Sequence, residues 1–165
     1  MRTLIFILGL FLIQSCSDVS EKSDYTGREY TYALIQSSDF PISGSATFYE
    51  RNDGTTEIKV TLSGTEGDIS HPVHFHYGNV SNPDAEIAIV LTPVLGKTGE
   101  SITIVKTLMD ETTLSYDDFV NFDGHIKIHL DDGPNKNTIL AAGNIGSASK
   151  GKLTGRKDIA VCKSE

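Results

Sequence analysis

Two short strings contain all five histidines of the chain and carry its clearest chemistry. The first is His71-Pro-Val-His74-Phe-His76, and the second is Gly124-His125-Ile-Lys-Ile-His129. Apolar residues occupy alternate positions in both strings, which predicts two β-strands. Alternate side chains of a strand share a face, so His74 and His76 should point one way, as should His125 and His129. Imidazoles that converge from two neighbouring strands have a geometry suited to binding a metal ion.

The strands that must position these histidines are predicted along most of the chain. Segments rich in β-branched and aromatic residues are separated by turn residues, and helix signals are scarce. The turn sequence Asn52-Asp53-Gly54 predicts a hairpin. Strands at this spacing predict one all-β domain, an antiparallel Greek-key sandwich or barrel. The predicted strands cover residues 29–36, 44–51, 55–62, 71–77, 86–92, 101–108, 124–131 and 139–147.

Two further structural predictions concern the hairpin and the segment before the second histidine string. In the hairpin, Phe48, Ile58, Val60 and Leu62 should face the core, because they fall on the apolar side of the alternation. Segment 110–121 is predicted to be a loop across one end of the sheet, and a short helix capped by Thr113 is the alternative.

The charge of the chain excludes some classes of partner. The formal net charge is −8, with 22 acidic and 14 basic residues. A nucleic-acid-binding protein needs a basic patch, so no nucleic-acid partner is expected. The sequence also lacks a nucleotide-binding glycine motif and the Gly-x-Ser-x-Gly elbow of serine hydrolases.

The N-terminus predicts export and lipid attachment. Arg2 is followed by an apolar run at 4–13, which is typical of a secretory signal and shorter than the roughly 20 residues of a transmembrane helix. The ending Leu12-Ile13-Gln14-Ser15-Cys16 resembles a bacterial lipobox. This resemblance implies a signal peptide at 1–15 and a lipid on Cys16, and therefore a membrane-anchored protein of the bacterial cell envelope, periplasmic or on the outer-membrane surface. An ordinary signal peptide is the alternative.

The composition divides the rest of the chain into a tether and one domain. Residues 16–28 are polar and lack periodicity, which predicts a flexible lipidated tether. The β domain is then predicted to cover 29–165.

The histidine strings resemble two families. The segment His71-Pro-Val-His-Phe-His-Tyr-Gly-Asn79 resembles the copper strand of Cu,Zn superoxide dismutases, and Gly124-His-Ile-Lys-Ile-His-Leu-Asp-Asp-Gly133 resembles the strand that carries the last copper ligand of that family. The run from Leu114 to His129 resembles the CHRD domain, which is the slightly closer of the two. Both resemblances imply the same Greek-key β fold, of superoxide dismutase-like or immunoglobulin-like topology.

Carried over residue by residue, the resemblance assigns roles to the histidines. His74, His76 and His129 match three copper ligands. His71 matches a histidine that braces the copper strand through hydrogen bonds. His125 matches no ligand, but alternation places it on the face of His129.

Departures from the dismutase pattern limit what the resemblance implies. Only seven residues, 79–85, stand where a long loop with the bridging histidine and the zinc ligands would be. Ala142 replaces a disulfide cysteine, and Ile139 replaces the arginine that guides superoxide to copper. The expected function is therefore an envelope lipoprotein that binds copper for buffering, relay or residual redox activity. Two alternatives remain open: a metal-free interaction or structural module, and a copper-only superoxide dismutase.

Overall fold

The computed structural model of the chain describes residues 23–150. The predicted signal peptide, the predicted lipidation site Cys16, the first part of the predicted tether and residues 151–165 of the predicted domain lie outside the described residues. Within the described range, no helix has both the length and the apolar character needed to cross a membrane.

Eight antiparallel strands form a closed barrel in the spatial order β1-β2-β3-β6-β5-β4-β7-β8. This order confirms the all-β antiparallel prediction and shows that the ladders close into a barrel. The connections from β3 to β4 and from β6 to β7 pass between strands that are not neighbours, which is the Greek-key pattern. The strands are β1 (Tyr25–Gln36), β2 (Ser43–Arg51), β3 (Thr56–Ser63), β4 (Ser70–Tyr77), β5 (Ile87–Leu95), β6 (Glu100–Val105), β7 (Gly124–His129) and β8 (Ile139–Ile145).

The first strand begins earlier than the sequence predicts. Residues 25–28, assigned above to the tether, belong to β1. Tyr25 pairs with Arg51 of β2, and its hydroxyl donates a hydrogen bond to Glu57 at 2.7 Å. The Arg28 guanidinium forms an ion pair with Glu50 at 3.0 Å. Polar side chains make the contacts that hold this part of β1 against its neighbours. Because such side chains are also typical of a flexible tether, the composition did not reveal the strand.

A short helix lies between β6 and β7, at one end of the barrel. Helix α1 spans Tyr116–Val120, and its N-cap is Ser115. The segment therefore contains the short helix that was the alternative to a loop, and its cap is Ser115 instead of Thr113. A capping box needs an acidic or amide side chain three residues after the cap, and Asp118 fulfils this for Ser115 by accepting a hydrogen bond from the Ser115 N–H at 2.9 Å. The position three residues after Thr113 is Tyr116, which is buried.

The barrel interior is apolar, as the alternation predicts. Phe48 and Phe75 are fully buried, and their ring centroids lie 6.2 Å apart in an edge-on contact. Burying a side chain of this size contributes about 1.5–3 kcal/mol to folding. The four predicted core residues of the hairpin are all buried, as are the inward residues of the histidine strands: Phe48, Ile58, Val60, Leu62, Val73, Phe75, Ile126 and Ile128.

The two histidine strands are neighbours in the barrel. β4 pairs with β7, so that His74 lies opposite Lys127 and His76 lies opposite His125. β7 begins at Gly124, where a Cβ atom would come within 2.6 Å of the His76 carbonyl oxygen and 2.8 Å of the Phe75 ring. A glycine is therefore required for β7 to approach β4 this closely. The strand β8 ends at Ile145, two residues before the predicted end, because a 3₁₀ turn, Gly146–Lys150, begins there.

Candidate metal centre

Four of the five histidines lie on the outer face of the barrel, beneath two loops: His74, His76, His125 and His129. Loop 78–86 joins β4 to β5, and loop 130–138 joins β7 to β8. His76, His125 and His129 are buried, with exposed fractions of 3 %, 0 % and 4 %, and His74 is partly exposed. Histidines on an uncovered sheet face would be exposed, so these side chains are not simply polar surface residues.

Three imidazoles converge on one point. One ring nitrogen each of His74, His76 and His129 lies within 4.8 Å of the other two. The ring centroids are 4.7 Å apart between His74 and His129 and 5.9 Å apart between His74 and His76. The convergence predicted from two neighbouring strands is thus present. We refer to these three residues as the histidine cluster.

His125 has a different place. Its ring stacks on His76, with a centroid distance of 4.9 Å and an interplanar angle of 6°. It is not a member of the histidine cluster. Its stacked ring packs against His76 and limits the orientations that the His76 ring can adopt.

Backbone carbonyls of the two loops set the tautomers of the buried rings. The Nδ1 atoms of His76 and His125 bond to the carbonyl oxygens of Ala85 and Gly78, at 3.0 and 2.8 Å. The Nδ1 atom of His129 bonds to the Lys136 carbonyl at 2.5 Å. A carbonyl oxygen only accepts, so each Nδ1 must carry the proton, and Nε2 is the nitrogen without a proton in the neutral ring. Metal-binding histidines in proteins are commonly oriented by such a hydrogen bond from the other ring nitrogen to a backbone carbonyl.

His71 braces the site from outside the cluster. It is buried on β4, and its Nδ1 atom bonds to the Leu130 carbonyl at 2.8 Å. This bond ties the start of β4 to the first residue of loop 130–138, next to His129. The bracing role that the resemblance implies for His71 stays a prediction.

The ring nitrogen chemistry of the cluster fits a metal ion. The Nε2 atom of His129 is buried and has no hydrogen-bond partner among the described residues. A buried polar atom without a partner costs about 1–3 kcal/mol, and such atoms are uncommon in native structures. A metal ion bound to this lone pair would satisfy it. His74 is the most adaptable member, since none of the described residues hydrogen-bonds to its ring.

Burial and mutual repulsion keep the rings neutral. Burial lowers the pKa of His74 to about 4, and the neighbouring His129 and His76 lower it further in the same direction. Burial also lowers the pKa values of His76 and His125 to about 4 and lowers the pKa of His129. Metal ions bind the neutral imidazole, so the ligands are in the required protonation state at neutral pH.

Two residues of the site were missed from the sequence. Lys127 is fully buried on the histidine side of β7, and its charge contributes to lowering the pKa values of His76, His125 and His129. Asn144 of β8 accepts a hydrogen bond from the Val80 N–H at 2.8 Å and so anchors loop 78–86. Alternation along β7 places Lys127 on the histidine face, but it gives no sign that a loop buries the lysine there.

No family model matches the chain, and no curated protein matches it. The resemblance to CHRD domains and superoxide dismutases therefore stays a prediction. What the structure itself establishes is an all-β barrel with a histidine cluster that could hold a metal ion.

Proposed function

We propose that this protein binds copper through His74, His76 and His129. The observation that carries the proposal is the convergence of three neutral imidazoles, with their ligand nitrogens within 4.8 Å of one another. Imidazole is a good ligand for copper, and copper(II) has the highest affinity of the divalent first-row metals for such sites. The resemblance to a copper-binding strand supports the same choice of metal.

The role proposed for the site is buffering or relay of copper, with residual redox activity as a further possibility of the same site. His74, which is partly exposed and held by no described hydrogen bond, lies where the cluster meets solvent. Such a ligand can exchange metal more readily than a cluster in which every ring is fixed. The bound ion supplies a redox-active centre, and the protein orients the ligands and limits access of water.

Metal content of the purified full chain tests this proposal. The protein is produced in a bacterial envelope, purified without chelator or metal-affinity resin, and assayed for copper and zinc by elemental mass spectrometry. We expect about one copper per chain, lost in a His74→Ala/His129→Ala double variant. His71→Gln is the matched control, because it removes an imidazole outside the cluster and keeps an N–H donor near the Leu130 carbonyl. Absence of metal after copper addition would contradict the proposal.

We also propose that the protein is located in the bacterial cell envelope. The lipobox-like ending at Cys16 supports a lipid anchor that holds the barrel at the membrane. Mass spectrometry of the N-terminal peptide should show a diacylglyceryl group on Cys16, and Cys16→Ala should release the protein from the membrane fraction. A mature N-terminus upstream of Cys16 without lipid would contradict the anchor and leave the copper proposal unaffected.

A metal-free interaction module is the second candidate, and a surface feature favours it. The outer faces of β5 and β6 expose apolar side chains, unlike the covered face of β4 and β7. The metal assay separates the two candidates, since an interaction module retains no copper. The exposed apolar residues of this region are Ile87, Val90, Leu95, Ile102 and Ile104.

A further inference from the structure

A cleft opens over the histidine cluster. It has a volume of about 710 Å³, and its walls come from loops 78–86 and 130–138 together with the adjoining ends of β4 and β5. His74, His76 and His129 are among its lining residues, and His76 and His129 are buried, whereas Asp84, Glu86 and Asp132 of the lining are exposed. Any ion or molecule that reaches the cluster from solvent by this route must pass the residues of the rim.

The rim of the cleft is acidic. Among the described residues, four carboxylates line it, two from each loop, against the single ammonium of Lys136. The carboxylates are Asp84, Glu86, Asp131 and Asp132. Lys127 does not line the cleft, because it is fully buried in the barrel wall. Charges of one sign around a concave opening focus the electrostatic field and change the local concentration of ions many-fold.

The acidic rim alone would be an ordinary solvated surface. A second observation points to a ligand. His129, which lines the cleft, has a buried Nε2 atom with no hydrogen-bond partner among the described residues. One ring nitrogen each of His74, His76 and His129 lies within 4.8 Å of the other two. The carboxylates are therefore placed along the approach to a set of neutral electron-pair donors.

We infer that the cleft is selective for cations, so that the cluster exchanges metal as a positively charged ion and disfavours anionic ligands. This inference rests on the proposed metal site and specifies what that site handles. A site for an anionic substrate would need a positive approach, whereas the described residues of this lining carry more negative than positive charge. The geometry thus favours buffering or relay of the metal ion over turnover of a small anion such as superoxide.

The first test measures the rate of copper uptake by the metal-free full chain. Aqueous copper(II) is mixed with protein at about pH 6, and binding is followed by quenching of tyrosine fluorescence, because the chain has six tyrosines and no tryptophan. The variant Glu86→Gln/Asp132→Asn removes two rim charges for which the described residues show no side-chain hydrogen bond or ion pair. The control Glu66→Gln/Asp68→Asn changes the net charge equally at exposed positions away from the cleft.

We expect the rim variant to take up copper on the order of ten-fold more slowly than the control at low ionic strength. The difference should shrink at about 1 M salt, where the screening length falls to about 3 Å. Binding of azide to the copper-loaded protein, followed by its charge-transfer absorption, should be several-fold tighter in the rim variant than in the control. Circular dichroism verifies that both variants are folded.

Equal uptake rates and equal azide affinities in rim variant and control would overturn the inference while leaving the copper site intact. No copper uptake by the unmodified chain would overturn the proposed function and, with it, the inference. Tighter azide binding in the unmodified protein than in the rim variant would also overturn the inference, since the rim would then attract anions.

Discussion

The two faces of the β4–β7 wall are both buried but differ in what buries them. On the inner face, Phe75 and Ile126 pack into the apolar core of the barrel. On the outer face, His76 and His125 are buried, and two carbonyls of loop 78–86 accept hydrogen bonds from their Nδ1 atoms. The difference shows that one alternating strand can serve two buried environments. Apolar packing stabilises the barrel, while the hydrogen-bonded outer layer orients ligands and depends on pH.

Among single substitutions, the largest expected effect on stability comes from breaking the inner face. Phe75→Ala should lower the free energy of unfolding by about 3–5 kcal/mol, because it leaves a cavity beside Phe48 and Phe122. Urea denaturation followed by circular dichroism measures this change. A loss below about 1 kcal/mol would mean that the core rearranges to fill the space.

Acidification should lower the stability of the protein through the buried histidines of the outer face. The pKa values of the buried His76 and His125 are about 4 in the folded protein, below the value of about 6.5 in an unfolded chain. The unfolded state therefore binds more protons between these values, and the metal-free protein should lose stability as the pH falls from about 6.5 to 4. The loss is about 1.4 kcal/mol per pH unit for each such histidine.

Urea denaturation at a series of pH values tests the acid effect. Bound copper should add stability above about pH 6, and a chelator should abolish this addition, because the metal binds only the neutral rings of the folded state. Stability of the metal-free protein that stays constant from pH 6.5 to pH 4 would show that the outer rings are not buried in neutral form.

A smaller loss of stability is expected when the hydrogen bond that anchors loop 78–86 to β8 is removed. Asn144→Ala removes the acceptor of the buried Val80 N–H and should cost about 1–3 kcal/mol in unfolding free energy. Copper affinity should fall about 10–100-fold, because loop 78–86 also holds the Nδ1 atoms of two histidines. Isothermal titration with copper and urea denaturation measure the two effects. Unchanged copper affinity would show that the loop keeps its position without this bond.

The smallest effect on stability should come from His74→Ala. This side chain is partly exposed, and no hydrogen bond from the described residues reaches its ring, so the metal-free protein should change by no more than about 0.5–1 kcal/mol. Copper binding should nevertheless fall at least about 100-fold, since one of three ligands is lost. A large loss of stability with unchanged copper affinity would reverse the roles assigned to the two faces.

Much of the fold and part of the site could be predicted from local patterns. The hairpin at Asn52-Asp53-Gly54 is confirmed, because β2 and β3 pair antiparallel on either side of it and Gly54 has a positive φ. A glycine in this conformation between two alternating runs is typical of a hairpin turn. The start of β1 and the cap of α1 were predicted wrongly. In both cases the deciding contact is a specific side-chain interaction, the Arg28–Glu50 pair and the Ser115–Asp118 box.

The sequence by itself determined which histidines share a face, because a strand alternates its side chains with a period of two. It could not determine whether that face is open or covered, because the answer depends on loops that pack from elsewhere in the chain. Only the tertiary structure decided the burial of Lys127, the tautomers set by the Ala85 and Lys136 carbonyls, and the acidic rim around the cluster. These features join residues from separate strands and loops, and no local pattern encodes such distances.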